Sequence, residues 1–182
     1  MSSWDVFSVW RHLSPLMRGP TDAPLQVQCA ANPLIASWRR ARVSVDRERQ
    51  TWTPAGDQPV LVVPIAWAEL GAMVDLVAID PTENEAYCLT GRALALGQHA
   101  LEDHSTSRLA YHETAMDWVR DHGRGVCPLD EAFFSYVVGI GDLTLVAQSL
   151  DAGERLEAWI RRATPKVPVV AVRRPKKSTE AA

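Results

Sequence analysis

Acidic side chains set into an apolar strand are the first residues here whose types could do chemistry. Asp75 interrupts the run from Met73 to Ile79, Asp80 ends it, and Glu102 and Asp103 follow downstream. Carboxylates at the end of a central strand are one way to hold a divalent cation for phosphodiester chemistry. His104 and His112, only a short segment apart, are the imidazoles that could join them. Two physical points weigh against this set. Asp75 and Asp80 are an odd number of residues apart, so a regular strand sends them to opposite faces unless a bulge intervenes. A carboxylate among apolar neighbours must also find a partner or stay protonated. The expectation is therefore a satisfied structural acid at Asp75. No catalytic residue is assigned, and Asp75, Asp80, His104 and His112 are kept as candidates.

Other chemistries have less to stand on. The histidines (His12, His99, His104, His112, His122) have no Cys-x-x-Cys or His-Glu-x-x-His spacing, so no metal is assigned and no cofactor is expected. There is no Gly-x-Ser-x-Gly elbow. Gly123-Arg124-Gly125 and Gly139-Ile140-Gly141 are too short for a phosphate-binding loop and read as turns. Cys29, Cys88 and Cys127 are odd in number and far apart, which fits thiols in a reducing cytoplasm better than a disulfide framework. Cys127, beside Pro128, reads as a buried thiol.

Charge is unevenly placed. The formal net charge is −3, yet the seven basic residues between Arg161 and Lys177 have no acid among them. Arg173, Arg174, Lys176 and Lys177 form the end of that run. A second basic cluster, Arg39, Arg40, Arg42, Arg47 and Arg49, has Trp38 and Trp52 nearby. Arginine beside tryptophan suits nucleic acid: charge for phosphate, ring for base. The alternative is a solvated hairpin face partly neutralised by Asp46 and Glu48.

The elements that must position these residues centre on Val60–Asp80. Its apolar runs, Val60–Trp67 and Ala72–Ile79, joined by Ala68-Glu69-Leu70-Gly71, predict a β-hairpin at the middle of a sheet. Pro64 cannot donate to a ladder, so the first arm should be an edge there, bulged, or short. Short strands are expected at 42–46 and 50–53, a turn at 54–59, and a third strand at 86–89 that closes a meander. Helices are expected at 2–14, as a short turn around 34–41, at 92–103, from Thr114 (with Asp117 at capping-box spacing), from Asp130 through Val138, and across 142–163, there as one helix or as two split near Asp151–Gly153. Arg108–His112 reads as a strand, and Val167–Val172 as an added edge strand. Apolar residues make up 47% of the 182, enough for a real core. The fold class is therefore α+β: a small, mainly antiparallel sheet, a meander around 42–90, packed by several helices with flanking helices at both ends. The domain reading is an N-terminal amphipathic helix (1–18), one α+β domain (19–172), and a disordered basic tail (173–182). No stretch reads as a secretory leader or a membrane span, which points to a soluble protein.

Two fragments carry a resemblance: Val74-Asp75-Leu76-Val77-Ala78 with the later Thr90-Gly91…Leu96-Gly97, and Thr114-Ala115-Met116-Asp117-Trp118-Val119. They resemble small uncharacterised accessory proteins of bacterial prophages and integrated elements, encoded with replication or primase genes. The resemblance implies a mobile-element accessory role and assigns no catalytic residue. The leading expectation is a non-catalytic accessory domain that binds nucleic acid or a replication protein. The alternatives are a metal-dependent phosphodiesterase using Asp75 and Asp80, and a protein-interaction module docking through Trp4, Phe7 and Trp10.

Overall fold

The two apolar runs of Val60–Asp80 pair as the hairpin they predict. The computed structural model describes residues 5–13, 38–67, 72–102 and 107–164. Trp4, residues 68–71, Asp103, His104, residues 14–37, the segment expected as a strand at 167–172 and the basic residues 173–177 lie outside the described residues. In chain order the elements are α1 (Val6–Leu13), β1 (Arg39–Asp46), β2 (Thr51–Trp67), β3 (Ala72–Asp80), β4 (Glu85–Cys88), β5 (Ala95–Leu96), a 3₁₀ turn (Gln98–Leu101), β6 (Arg108–Tyr111), α2 (Ala115–Arg120), β7 (Cys127–Pro128), α3 (Ala132–Ile140), β8 (Thr144–Ala147) and α4 (Leu150–Ala163). Mixed α+β is the result, with a four-stranded antiparallel meander in the order β1-β2-β3-β4.

Strand β2 is long because it serves two neighbours. It pairs with β1 from Thr51 to Val62 and with β3 from Leu61 onward. Beyond Val62, β2 has no further β1 partner among the described residues, and that is where Pro64 sits, opposite Leu76. The missing N–H is thus tolerated, and a bulge follows directly at Ile65/Ala66. The segment expected as a turn at 54–59 is instead an interruption inside β2. The register steps from Ser44↔Thr53 to Val43↔Gln58, leaving residues 54–57 without β1 partners. Gly56 lies so close to β1 that a Cβ there would fall 2.2 Å from the Val43 carbonyl carbon. The bend lets the start of β2 swing round to β4, where Thr51 pairs with Cys88 and the Cys88 N–H donates to the Gln50 carbonyl (2.9 Å). Trp52 is enclosed in that turn-back, with its indole N–H donating to the Leu76 carbonyl (3.0 Å).

Strand alternation then sends side chains to two cores. Val43, Val60, Val62, Leu76, Ala78 and Tyr87 face one side with Trp52, where Val6, Val9 and Leu13 of α1 cover them. Val63, Ile65, Val77 and Ile79 face the other, under Leu96, Ala115, Trp118 and Cys127. Trp38 joins this second core by stacking on Trp118, ring centroids 5.4 Å apart. Such a pair adds about 1 kcal/mol beyond its buried area. Of the N-terminal stripe, half-buried Trp10 packs on the first core, Phe7 stays exposed, and Trp4 lies outside the described residues. A third core lies beyond, where Leu109 and Tyr111 of β6 meet Phe133, Phe134 and Val137 of α3 and Leu156 of α4. Its strands β6 and β8 run parallel, and Val126 adds a parallel bridge to Tyr111.

Three local expectations are corrected. Residues 92–103 do not form a helix: they run extended into β5 and then make the 3₁₀ turn. Residues 39–41, expected within a helical turn, belong to β1. Residues 142–163 are not helical throughout, because 144–147 is strand β8 and α4 begins at Leu150 behind the N-cap Ser149, whose hydroxyl accepts the Ala152 N–H (3.1 Å). The Thr114 cap forms as its spacing predicts: its hydroxyl oxygen accepts the Asp117 N–H (3.2 Å) and its O–H donates to Asp117 Oδ2 (2.7 Å).

The approach of Gly56 to β1 yields a test. Gly56→Ala pushes a methyl into the β1 backbone, which cannot yield as a side chain would. Urea unfolding should show a loss of about 2 kcal/mol, the usual scale for overpacking. An unchanged midpoint would show that the 54–57 interruption does not rest on β1.

Candidate functional site

The acid singled out by sequence has every lone pair occupied. Asp75 is fully buried. Its Oδ1 accepts the N–H groups of Leu76 (2.8 Å) and Thr90 (2.9 Å), and Oδ2 accepts those of Arg92 (2.8 Å) and Ala93 (3.2 Å). A carboxylate offers about four acceptor positions, and here backbone donors fill them. The Thr90 hydroxyl adds a longer bond to the Val74 carbonyl (3.4 Å). Asp75 therefore fastens the 90–93 segment across β3. The helix expected at 92–103 gives way because Ala95 and Leu96 pair with Pro128 and Cys127 of β7.

Asp80 is likewise committed, and elsewhere. Its Oδ1 accepts Thr82 N–H (2.8 Å) and Glu83 N–H (3.3 Å), and Oδ2 accepts the Gln58 side-chain amide. It shapes the β3–β4 turn, as Asp residues do at turn starts. Asp75 shares the face of Val77 and Ile79, while Asp80 shares that of Leu76 and Ala78. The bulge next to Asp75 inserts Val74 into β3, on the amino side of Asp75, so alternation from Asp75 to Asp80 is not shifted. The structure thus separates the two acids expected to cooperate. His112 lies in neither sheet face but at the end of β6, and His104 falls outside the described residues. Among the described residues, no group of three or more His, Cys, Asp or Glu is placed to hold a metal ion.

His112 instead joins the carboxyl ends of two parallel strands. It follows β6 and is 1% exposed. Its Nε2–H donates to the Arg124 carbonyl (3.0 Å), and its Nδ1 accepts from the Gln148 amide (2.7 Å) at the end of β8. The Gln148 amide nitrogen can only donate, so the ring N–H sits at Nε2. The Asp121 carboxylate lies 3.4 Å from Nε2. Beside this linkage is an open cleft of about 460 Å³, with Ala110, Val146 and Ala147 as an apolar floor, Asp117, Arg120 and Asp121 as a charged wall, and Gln148 at its end. Clefts outside the carboxyl ends of parallel strands are common ligand positions. Asp117 titrates below its ordinary range, first because the Thr114 hydroxyl donates to it and then because Arg120 does (2.8 Å). The wall is thus a fixed pattern of charge, and the buried ring behind it ties β6 to β8.

Sequence reasoning names His112 but misses Asp117, Arg120, Asp121 and Gln148 as its surroundings. The missing signal is the strand at 144–147, whose Thr-Leu-Val-Ala reads as part of a helix. Two glycines let this region close. Gly125 (φ +70°) passes so near β6 that a Cβ would sit 2.2 Å from the Ala110 carbonyl oxygen, and the Gly125 carbonyl accepts the Trp118 indole N–H (3.1 Å). Gly97 (φ +71°) abuts the same carbonyl.

The basic cluster is divided by strand alternation. Trp38 and Trp52 are core residues, 7% and 1% exposed, so neither offers a ring face to a base. This corrects the expected pairing of tryptophan with arginine. Arg39 turns towards α1, its guanidinium 4.8 Å from the Trp10 ring centroid. Arg40 and Arg42 are exposed on the opposite face of edge strand β1, where Arg42 also donates to the Asp57 carbonyl (3.1 Å). Arg47 and Arg49 occupy the β1–β2 turn, 3.9 Å from Glu83 and 3.7 Å from Asp46. Such long, exposed pairs contribute little, so phosphates can replace these acids. Arg173, Arg174, Lys176 and Lys177 lie outside the described residues. Burial pushes the Cys88 and Cys127 thiols up to about 12, which makes both inert.

Two tests follow from this geometry. Asp75→Asn removes two acceptor positions and points an amide donor at backbone donors. It should cost about 3 kcal/mol in chemical unfolding, since hydrogen bonds to a charged group are individually stronger than neutral ones. A loss below about 0.5 kcal/mol would show that the clamp is not structural. The second concerns Glu113, which Arg155 holds below its ordinary range through paired bonds of 2.6 and 2.7 Å. A carboxylate depressed by folding contributes stability above its unfolded value, and that contribution fades as pH falls through the folded value. Stability should therefore decline below about pH 4. In Arg155→Gln, the Glu113 carboxyl midpoint, read by ¹³C NMR, should rise; an unmoved midpoint would contradict the pairing.

Comparison of the chain with protein-family models, curated proteins and solved structures finds no match.

Proposed function

We propose that this chain is a non-catalytic accessory domain of a bacterial mobile element that binds nucleic acid. One observation carries the reading: the acids placed for phosphodiester chemistry are engaged by backbone donors and the Gln58 amide and turned to opposite faces, while strand β1 and its turn present arginines at the surface. An edge strand studded with positive charge also resists pairing with another strand, so the arginines can serve solubility and phosphate binding together. Arg40 and Arg42, one strand period apart, match the backbone of a nucleic acid rather than its bases. The basic segment from Arg173 to Lys177 supplies further charge. Replication proteins that work on the same nucleic acid are the natural neighbours of such a domain.

Fluorescence anisotropy with labelled single strands and duplexes tests this. Binding should be strongest at low salt and weaken steeply, with little dependence on sequence. Arg40→Ala/Arg42→Ala should flatten the log–log salt slope by about 2, one unit for each phosphate no longer neutralised. No binding to either DNA or RNA at low salt would remove the nucleic-acid reading and leave a protein partner, for which exposed Phe7 on α1 is the place to begin.

A further inference from the structure

We infer that the cleft between α3 and α4 seats one unstacked nucleobase carrying an amino group, with its phosphate turned to Arg162. The inference rests on the nucleic-acid reading only for the source of that base. The cleft measures about 440 Å³, within the roughly 300–1,000 Å³ of small-ligand sites. The start of α3 forms one wall with Glu131, Phe134 and Ser135, and the last turns of α4 form the other with Trp159 and Arg162. Trp159 is half-buried, and its ring stacks on Phe134 with centroids 5.6 Å apart and planes 7° from parallel, so the indole is fixed in place. The indole N–H groups of Trp52 and Trp118 are engaged by the Leu76 and Gly125 carbonyls. That of Trp159 has no partner among the described residues and is left for an acceptor on a ligand.

The charges in the cleft say what lies on the ring. The Arg162 guanidinium is 5.1 Å from the Trp159 ring centroid. Arg162 is exposed, and among the described residues no carboxylate pairs with it, so it is available to cap a base laid on the indole or to meet its phosphate. Across the cleft, Glu131 and Ser135 are exposed, and their side chains make no hydrogen bond or ion pair among the described residues. Glu131 and Arg162 thus line one space without pairing, which leaves room for a group between them. An ionised carboxylate only accepts, so it selects a base edge that donates. The amino groups of adenine, cytosine and guanine do so. Uracil offers its edge N–H between two carbonyls, which a carboxylate repels. The same carboxylate opposes a bare phosphate, so an anion alone does not satisfy the cleft. Stacking tolerates every base and the amino preference is modest, so strand binding stays largely indifferent to sequence.

Titration of the ¹⁵N-labelled full chain with nucleoside 5′-monophosphates tests this, read at the Trp159 indole N–H peak. AMP, CMP and GMP should move that peak, UMP should bind about threefold more weakly, and ribose 5-phosphate should leave it unmoved. Glu131→Gln, at an exposed position, should bring UMP level with the others, because an amide both donates and accepts. Arg162→Gln should weaken all four nucleotides about fivefold. A short single strand that moves the same peak at least about tenfold more tightly than AMP identifies the strand as the source of the base, and equal affinity identifies a free nucleotide. A peak unmoved by every nucleotide at about 10 mM, moved equally by ribose 5-phosphate, or indifferent to Arg162→Gln overturns the site. Strands that bind at low salt with this peak unmoved would leave the β1 reading standing and this site refuted; nucleotides seated here without any strand binding would do the reverse.

Discussion

The structure depends on one buried carboxylate and the four backbone N–H groups aimed at it. A buried charge is costly unless its acceptors are filled, and Asp75 fills them with donors from a segment that must leave the sheet. The meander ends at Cys88, and the chain has to cross from its edge to lay Ala93 and Leu96 on the second core. Held at Thr90, Arg92 and Ala93, that crossing has one path. The later packing builds on it: Gly97 against Gly125, Trp118 against the same loop, and Trp38 stacked on Trp118. Through them the antiparallel meander and the small parallel sheet share a wall.

Features that depend on near neighbours are legible in the sequence. The hairpin follows from its apolar runs, the place of Pro64 beyond the paired β1 residues from its missing N–H, the start of α2 from Thr114 and Asp117, and the α3 start from Asp130, whose side chain accepts the Ala132 N–H (2.7 Å). Distant pairing is not legible. The helix expected at 92–103 has acceptable periodicity, but Ala95 and Leu96 pair with Pro128 and Cys127, far along the chain. Strand β8 is four residues long and gains its identity from β6, to which nothing local points. Residues 54–57 look like a turn between strands, and a single bent strand contains them.

The candidate site is legible only in part, for the same reason. Asp75 stands out in the sequence as a buried acid needing partners, and the odd spacing to Asp80 anticipates their separation. The tryptophans mislead because adjacency in sequence is opposition in a strand: Trp38 turns into a core while Arg39 turns towards α1. Around β1 and its turn, what remains exposed among the described residues is arginine without a tryptophan face, and on the proposed reading a nucleic acid would be met through its phosphates. The cleft beside Gln148 adds a second polar feature, built where two parallel strands end.

The most direct measurement follows binding and strand integrity together, on labelled single-stranded and duplex substrates at low salt with Mg²⁺ or Mn²⁺ present. Salt-sensitive binding that leaves the strands intact is the predicted result. Metal-dependent cleavage that disappears in Asp80→Asn would contradict the account, since that acid shapes a turn and its oxygens are already engaged.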